Sequence, residues 1–314
     1  MVQVDLITGF LGAGKTTFLR RYVRYLVEQG HNVCILENDF GAVNVDAMLV
    51  QDLLGPRCDL ETISGGCDCD THQRRMRTKL IAMAMRGFDR VVVEPSGIFD
   101  VDEFFDALRE EPLDQWYEIG SVIAVVDAGL ESELSRDEEY LLASEVADAG
   151  CVILSRSQLV SETQQKETVA HINRSMELVK CSRRFGQEII SKDWDHLTDV
   201  DFEQIKNSGY VMEDFAKLGF QKEAVFSSLS FLNLQMDEKK LKKIVEQLFA
   251  STEAGEVLRV KGFWQQEEQW MELNATPRSM TVGPVTAGQQ VLIVIGGSFQ
   301  ECDFRNDRRI IRKN

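Results

Sequence analysis

Histidine is scarce in this chain, with four in 314 residues, scattered at His31, His72, His171 and His196. That excludes a histidine-rich metal store. Basic residues are also outnumbered: 35 Lys and Arg face 51 Asp and Glu, for a formal charge of −16. Proteins that grip a phosphate backbone present a basic face, so nucleic acid is not expected as a general partner. An anionic membrane surface is repelled for the same reason. No stretch reaches the roughly 20 consecutive apolar residues that span a bilayer, so no membrane segment is expected. The opening MVQVDLITGF lacks a basic n-region and a cleavage site, and a signal peptide is not expected. The expected compartment is therefore the reducing cytoplasm. There, a closely spaced pair among the seven cysteines points to metal or redox chemistry rather than a structural disulfide.

What is present organises into two parts. Through residue 182, short β-branched runs at 4–7, 33–36, 91–93, 122–126 and 151–154 alternate with helical patterns. Near-continuous apolar strands separated by helices are what a parallel sheet buried on both faces requires. Residues 183–221 are polar and acidic, and read as a connector with a short helix. A second unit, 222–300, has strand-like runs at 224–234, 257–263, 270–273 and 291–296 around one helix at 237–251. The tail, 301–314, is basic. The expected class is α/β: a domain with a mostly parallel sheet flanked by helices, plus a smaller α+β domain. Ligands of such sheets bind beyond the carboxyl ends of the strands, so the residues that follow strands carry the functional information.

After the first strand, residues 9–17 read G-F-L-G-A-G-K-T-T, a full match to G-x-x-x-x-G-K-[ST] in the strand–loop–helix setting that the motif needs. Gly9, Gly12, Ala13 and Gly14 let backbone N–H groups turn inward on phosphates, helped by the positive end of the following helix. Lys15 reaches the β- and γ-phosphates, Thr16 completes the shell of a Mg²⁺ ion, and Thr17 faces the α-phosphate. After the strand at 91–93 comes Glu94-Pro95-Ser96-Gly97. Glu94 is placed to hold Mg²⁺ through water or to position the attacking water, and the Gly97 N–H to sense the γ-phosphate. The polar loop 37–46, with Gly41 at its middle, suits a switch that moves on hydrolysis.

Gly65-Gly66-Cys67-Asp68-Cys69-Asp70 sets two thiols and two carboxylates within four residues. C-x-C spacing turns both sulfurs to one ion, and thiolates favour Zn²⁺ or Cu(I). Cys67, Cys69 and Asp70 make a partial site, and Glu37, His72 or a partner protein would complete it. The alternatives are a redox pair or two inert thiols. The helix behind, with Arg74, Arg75, Arg77 and Lys79, reads as a solvated basic face.

GFLGAGKTT, ENDFGAVNVD, GGCDC and EPSG, in this order, resemble the CobW-like branch of P-loop GTPases, relatives of the HypB and UreG nickel chaperones. The resemblance covers residues 1 to about 180, and RVKGFW and QWMEL resemble the family's C-terminal domain. It implies GTP-dependent metal handling, with GTP and Mg²⁺ bound, zinc or another transition metal as cargo, and a client metalloprotein or corrinoid protein. Three departures qualify it. Asp70 stands where the family's C-x-C-C motif has a third cysteine. Ala42 stands where a further metal-binding Glu is common. Ser155-Arg156-Ser157-Gln158 replaces the base-reading N-K-x-D. A carboxylate accepts from both donors of the guanine edge and a neutral Gln does not, so guanine preference should weaken, with ATP as the alternative nucleotide. Base contacts moved to another loop would preserve GTP. In this set, Ser155, Arg156 and Gln158 are the base-binding candidates, with Arg156 able to stack on a purine. No arginine finger is assigned, so slow hydrolysis is expected without a partner. A nucleotide-gated assembly factor with little hydrolysis is the competing reading, and a redox sensor built on Cys67 and Cys69 is a third.

Overall fold

The computed structural model describes residues 1–10, 12–39, 46–64, 69–95, 101–213, 215–216, 227–232, 237–250, 257–277, 279–286 and 288–296. They fall into two compact units, Met1–Phe40 with Leu53–Phe220, and Gly41–Asp52 with Gln221–Asn314.

In the first unit the branched apolar runs become strands. These are β1 (Val2–Thr8), β2 (Val33–Asp39), β3 (Cys58–Ser64), β4 (Arg90–Pro95), β5 (Tyr117–Asp127), β6 (Cys151–Ser155) and β7 (Ile189–Ile190). They form one seven-stranded sheet in the order β3-β2-β4-β1-β5-β6-β7. Every neighbouring pair is parallel. All of β4 and β6 is buried, which is why both read as unbroken apolar runs rather than alternating ones. The connecting helices are α1 (Lys15–Glu28), α3 (Cys69–Ala84), α4 (Val101–Arg109), α5 (Arg136–Val146), α6 (Glu162–Leu178) and α7 (Asp199–Lys206). Serine and threonine caps start three of them. Ser135 with Glu138, Ser161 with Gln164 and Thr198 with Asp201 each close a reciprocal capping box.

All five expected strands lie inside β1, β2, β4, β5 and β6. The two strands that were not expected, β3 and β7, are the sheet edges. The stretch 183–221, read from sequence as a connector, carries β7, a 3₁₀ turn at Trp194–His196 and α7. Val122 and Val211 draw it onto the body of the first unit by backbone bonds to Gly209 and Asp148.

At the amino ends of the strands a buried polar cluster ties four elements together. Asp5 of β1 accepts from Tyr22 Oη of α1 at 2.8 Å, from Arg90 Nη1 of β4 at 2.6 and 2.5 Å, and from the Ser121 backbone of β5 at 2.9 Å. Burial and the Asp5 charge push the Tyr22 phenol well above its ordinary range.

The second unit has five strands, β8 (Ser227–Leu232), β9 (Val257–Gln266), β10 (Gln269–Thr276), β11 (Ser279–Val285) and β12 (Val291–Gly296), in the order β11-β10-β9-β12-β8. All its pairings are antiparallel. Helix α8 (Glu238–Ala250) lays Leu241, Ile244, Val245 and Leu248 into a core with Val260, Trp264, Leu273 and Leu292. On the other face, Phe263, Val291 and Ile293 pack with Met48 and Leu49 of the short helix α2 (Asp46–Leu49). The unit is thus completed by a piece of chain from the amino-terminal half.

Candidate functional site

The phosphate loop follows β1, and its geometry depends on glycine. Gly9, Gly12 and Gly14 have φ of +133°, +81° and +104°. A Cβ on Gly9 would sit 2.1 Å from the Val125 carbonyl oxygen of β5, so the loop lies directly on the sheet. Gly14 is the N-cap of α1 and supplies no side-chain cap, and the first turn of α1 holds no acidic residue. Its N–H groups are therefore presented as an anion site at the positive end of the helix.

Lys15 is buried at 7% exposure, and its Nζ donates to the Gly9 carbonyl at 2.7 Å. That bond curls the side chain back over the loop. Thr16 Oγ1 donates to Glu94 Oε1 at 2.8 Å, joining the start of α1 to the end of β4. The register sets Glu37 of β2 directly beside Glu94 of β4, and both are buried. Two carboxylates and a hydroxyl next to a lysine form a hard-oxygen donor set that fits a small divalent cation such as Mg²⁺ better than a soft metal. Glu37, offered from sequence as a transition-metal ligand, lies beside Glu94 in the sheet.

Glu145 was not identified from sequence as a site residue. From α5 its Oε2 accepts the Gly9 N–H at 3.0 Å, and the residue is 1% exposed. The detectable signal was a charged residue among Leu141, Leu142 and Val146 on the apolar side of a helix. Gly9 is consequently held from both sides, its N–H by Glu145 and its carbonyl by Lys15.

Beyond the loop, a cavity of about 180 Å³ is lined by Ala13, Gly14, Thr17, Ser155, Arg156 and Gln158 together with Arg21 and Asp193-Trp194-Asp195. The structure therefore brings the three base-binding candidates to the phosphate loop. Arg156 has φ of +54°, and its guanidinium pairs with Asp127 and donates to the Gly12 carbonyl at 3.1 Å. It braces the loop against the ends of β5 and β6. The wall formed by Trp194 was not anticipated. Its signal was an aromatic between two aspartates in a polar stretch.

Cys67 and Gly97 lie outside the described residues, as does most of the loop 37–46. Cys69 and Asp70 open α3, but only their backbone is described. The elements that bracket the C-x-C segment are firmly joined. Glu61 of β3 accepts from Lys79 of α3 at 2.5 Å and from Arg86 at 2.7 Å, and Arg86 also pairs with Asp59. Arg77 pairs with Glu110. The basic face expected on this helix thus carries ion pairs at Arg77 and Lys79, and Arg74 and Arg75 are exposed on it.

Four of the other thiols are poor ligands. Burial pushes Cys34 and Cys151 up to about 12 and Cys58 up to about 11, and it raises Cys181 as well. A thiol must ionise to bind metal or attack a disulfide, so these four are inert near neutral pH. Among the described residues no helix is long and apolar enough to cross a membrane.

The chain is similar to several known proteins. The model for the CobW/HypB/UreG nucleotide-binding domain matches residues 3–180. The zinc chaperone YjiA of Escherichia coli is 26% identical over 281 residues, 83% of this chain and 81% of its own. The zinc-regulated GTPase metalloprotein activator 1 of Schizosaccharomyces pombe is 25% identical over 205 residues, 63% of this chain and 47% of that protein. The match thus spans about half the length of the yeast relative. A crystal structure of zinc-bound YjiA GTPase from E. coli covers 99% of both chains at 21% identity, with a TM-score of 0.37.

Proposed function

The chain belongs to the CobW/HypB/UreG family, and from that premise we propose that it is a GTP-dependent metal-handling protein. In this reading it binds and slowly hydrolyses GTP, and it couples nucleotide state to a transition metal at Cys67 and Cys69. Zinc is the favoured cargo, and the recipient is a client metalloprotein or corrinoid protein. The observation that carries the reading is the convergence of Lys15, Thr16, Glu94 and Glu37 beneath a loop of three positive-φ glycines.

A magnesium ion held by Thr16, with Glu94 directly or through water, supplies charge neutralisation at the phosphates when bound. The chain's own residues do the rest. Lys15 exchanges its Gly9 carbonyl bond for phosphate oxygens. The loop amides and the uncapped start of α1 hold the remaining phosphate charge. Glu94, with Glu37 beside it, takes the proton-accepting or water-ordering role, and Gly97 and the loop 37–46 report the γ-phosphate toward the cysteines.

Two supports favour Cys67 and Cys69 as the cargo site. Four of the remaining five thiols are buried and held protonated. Among curated relatives, YjiA is named a zinc chaperone. With Asp70 as the third donor the site is harder than an all-thiolate one, and weaker retention of zinc, which suits delivery, follows. The test is metal stoichiometry of wild type against Cys67→Ser/Cys69→Ser, with and without GTP, alongside GTP turnover of wild type and Lys15→Ala. Equal metal content in the two proteins ends the cargo assignment, and turnover that survives Lys15→Ala ends the catalytic one. Tight GTP binding with no turnover, with or without Zn²⁺, selects the nucleotide-gated assembly factor instead.

A further inference from the structure

The nucleotide reading leaves the selection of the base unsolved, because Gln158 stands where a carboxylate is expected. A second source of carboxylate borders the same cavity. The 3₁₀ turn Trp194–His196, which follows β7, lines it with Asp193, Trp194 and Asp195.

This turn is built to stay in place. Trp194 Nε1 donates to the Leu154 carbonyl at 3.1 Å, and its ring meets Phe18 of α1 edge-on at 5.5 Å. A Cβ on Gly14 would stand 3.3 Å from Trp194 Cη2, so the indole lies against the last glycine of the phosphate loop. Arg21 braces the turn from α1. Its Nη1 donates to the Trp194 carbonyl at 2.9 Å, and its Nη2 pairs with Asp195 Oδ1 at 2.5 Å.

The two aspartates differ in what they have left to offer. Asp193 spends both oxygens locally, Oδ1 on the Asp195 N–H at 3.1 Å and Oδ2 facing His196 Nδ1 at 3.1 Å. Asp195 commits only Oδ1, to Arg21, and its side chain remains 70% exposed. Its Oδ2 has no hydrogen bond among the described residues. A second, separate feature points to a ligand here. Ser155 lines the cavity at 2% exposure, and its Oγ has no hydrogen-bond partner among the described residues. A buried hydroxyl without a partner is costly unless a bound group satisfies it.

The chemistry of the purine edge decides which base these groups suit. Guanine presents two neighbouring donors, N1–H and the exocyclic amine, with O6 and N7 as acceptors on its other side. A carboxylate takes both donors, and a serine hydroxyl serves either acceptor. Adenine sets its N1 lone pair against a carboxylate, which is repulsive. We infer that Asp195, on the turn after β7, supplies the carboxylate that selects guanine in this chain, and that Ser155 Oγ–H completes the base contact. Trp194 and Arg21 are positioning residues that hold Asp195 at the cavity wall. The inference rests on the nucleotide reading above and adds the residue that makes it a GTP site.

The test is equilibrium binding of GTP, ATP and XTP, each with Mg²⁺, to wild type, Asp195→Asn, Gln158→Ala and Lys15→Ala, measured by calorimetry on the full chain. Thermal unfolding checks that each variant is folded. Wild type is expected to prefer GTP over ATP. In Asp195→Asn that preference falls by about ten- to a hundredfold, the range for loss of one bidentate base contact. XTP binding rises in the same variant, because Asn offers one donor and one acceptor to the N1–H and carbonyl of the xanthine edge. Gln158→Ala keeps the GTP preference. A preference unchanged within twofold in Asp195→Asn overturns the proposal, as does its collapse in Gln158→Ala alone. Equal affinity of wild type for GTP and ATP, both lost in Lys15→Ala, overturns it while leaving the nucleotide site intact. Failure of wild type to bind any of the three overturns both.

Discussion

Gly9 is the residue on which the phosphate loop turns, and Gly9→Ala should damage stability and catalysis together. The added Cβ would lie 2.1 Å from the Val125 carbonyl oxygen, and Cβ atoms essentially never approach closer than 3.0 Å, so the two backbones must part by about 0.9 Å. The obstacle is the backbone of central strand β5, which cannot rotate aside as a side chain would. Its φ of +133° adds strain of about 1–3 kcal/mol for any residue with a Cβ. Gly9 also carries the 3.0 Å bond from its N–H to Glu145 and the 2.7 Å bond that its carbonyl accepts from Lys15. Losing one such charged bond costs about 1.5–3 kcal/mol. If the loop keeps the other, the unfolding free energy falls by roughly 2.5–6 kcal/mol. Because the loop must move by nearly an ångström, GTP turnover falls about a hundredfold. Urea denaturation followed by circular dichroism, and steady-state GTP turnover at saturating Mg²⁺, measure the two effects. Gly186→Ala is the control, since a Cβ there meets nothing within 4 Å. A Gly9→Ala protein as stable as the control and turning over at the wild-type rate would refute the argument that this glycine is a contact requirement of the fold.

Other substitutions test separate parts of the molecule. Arg90→Met strands the buried Asp5 carboxylate and should cost about 3–5 kcal/mol. Adding Asp5→Asn should recover much of that loss, and simple additivity of the two costs in urea denaturation would contradict the coupling. Glu94→Gln keeps the volume but removes the charge beside Thr16, and should lower GTP turnover about a hundredfold or more. A wild-type rate would remove Glu94 from the chemistry. Hydrogen bonds from Lys192 and Thr198 hold the Asp201 carboxyl down at about 2, from an ordinary 3.8. A depressed carboxyl contributes fully above its unfolded range and loses that contribution as pH falls through the folded value. The stability gap between wild type and Asp201→Asn should therefore be constant above about pH 5 and close toward pH 2. A gap that does not change with pH would show that the capping charge is not what Asp201 contributes.

The central strands and the phosphate loop were legible in the sequence because their signals are local. β1, β4, β5 and β6 are buried along most of their length and so appear as apolar runs, and the loop is a fixed spacing of glycines before Lys15. The edges were not legible. β3 reads Cys-Asp-Leu-Glu-Thr-Ile-Ser, an apolar run broken by Asp59 and Glu61, which pair with Arg86 and with Lys79 of α3, and β7 pairs over two residues only. β11 was missed because Gly283 and Pro284 interrupt its pattern. At the site, Lys15, Thr16 and Glu94 announce themselves by motif. Glu145 and Asp195 act from 136 and 174 residues away from the loop and helix groups they hold, and no local pattern encodes such a pairing. The stretch 183–221 looks like a connector for the same reason. Its polar residues face a partner that the fold, and not the neighbouring sequence, supplies.

The placement of Trp194 has an optical consequence. The chain has four tryptophans, Trp116, Trp194, Trp264 and Trp270, and Trp194 is the one that walls the cavity at the phosphate loop. Its indole touches Gly14 and hydrogen-bonds to β6, so a base entering the cavity changes the polarity around that ring directly. The molecule thereby carries its own fluorophore beside the ligand. The emission lost in Trp194→Phe isolates that signal from the other three indoles. A stopped-flow trace of the difference would time nucleotide arrival and departure in an unlabelled protein.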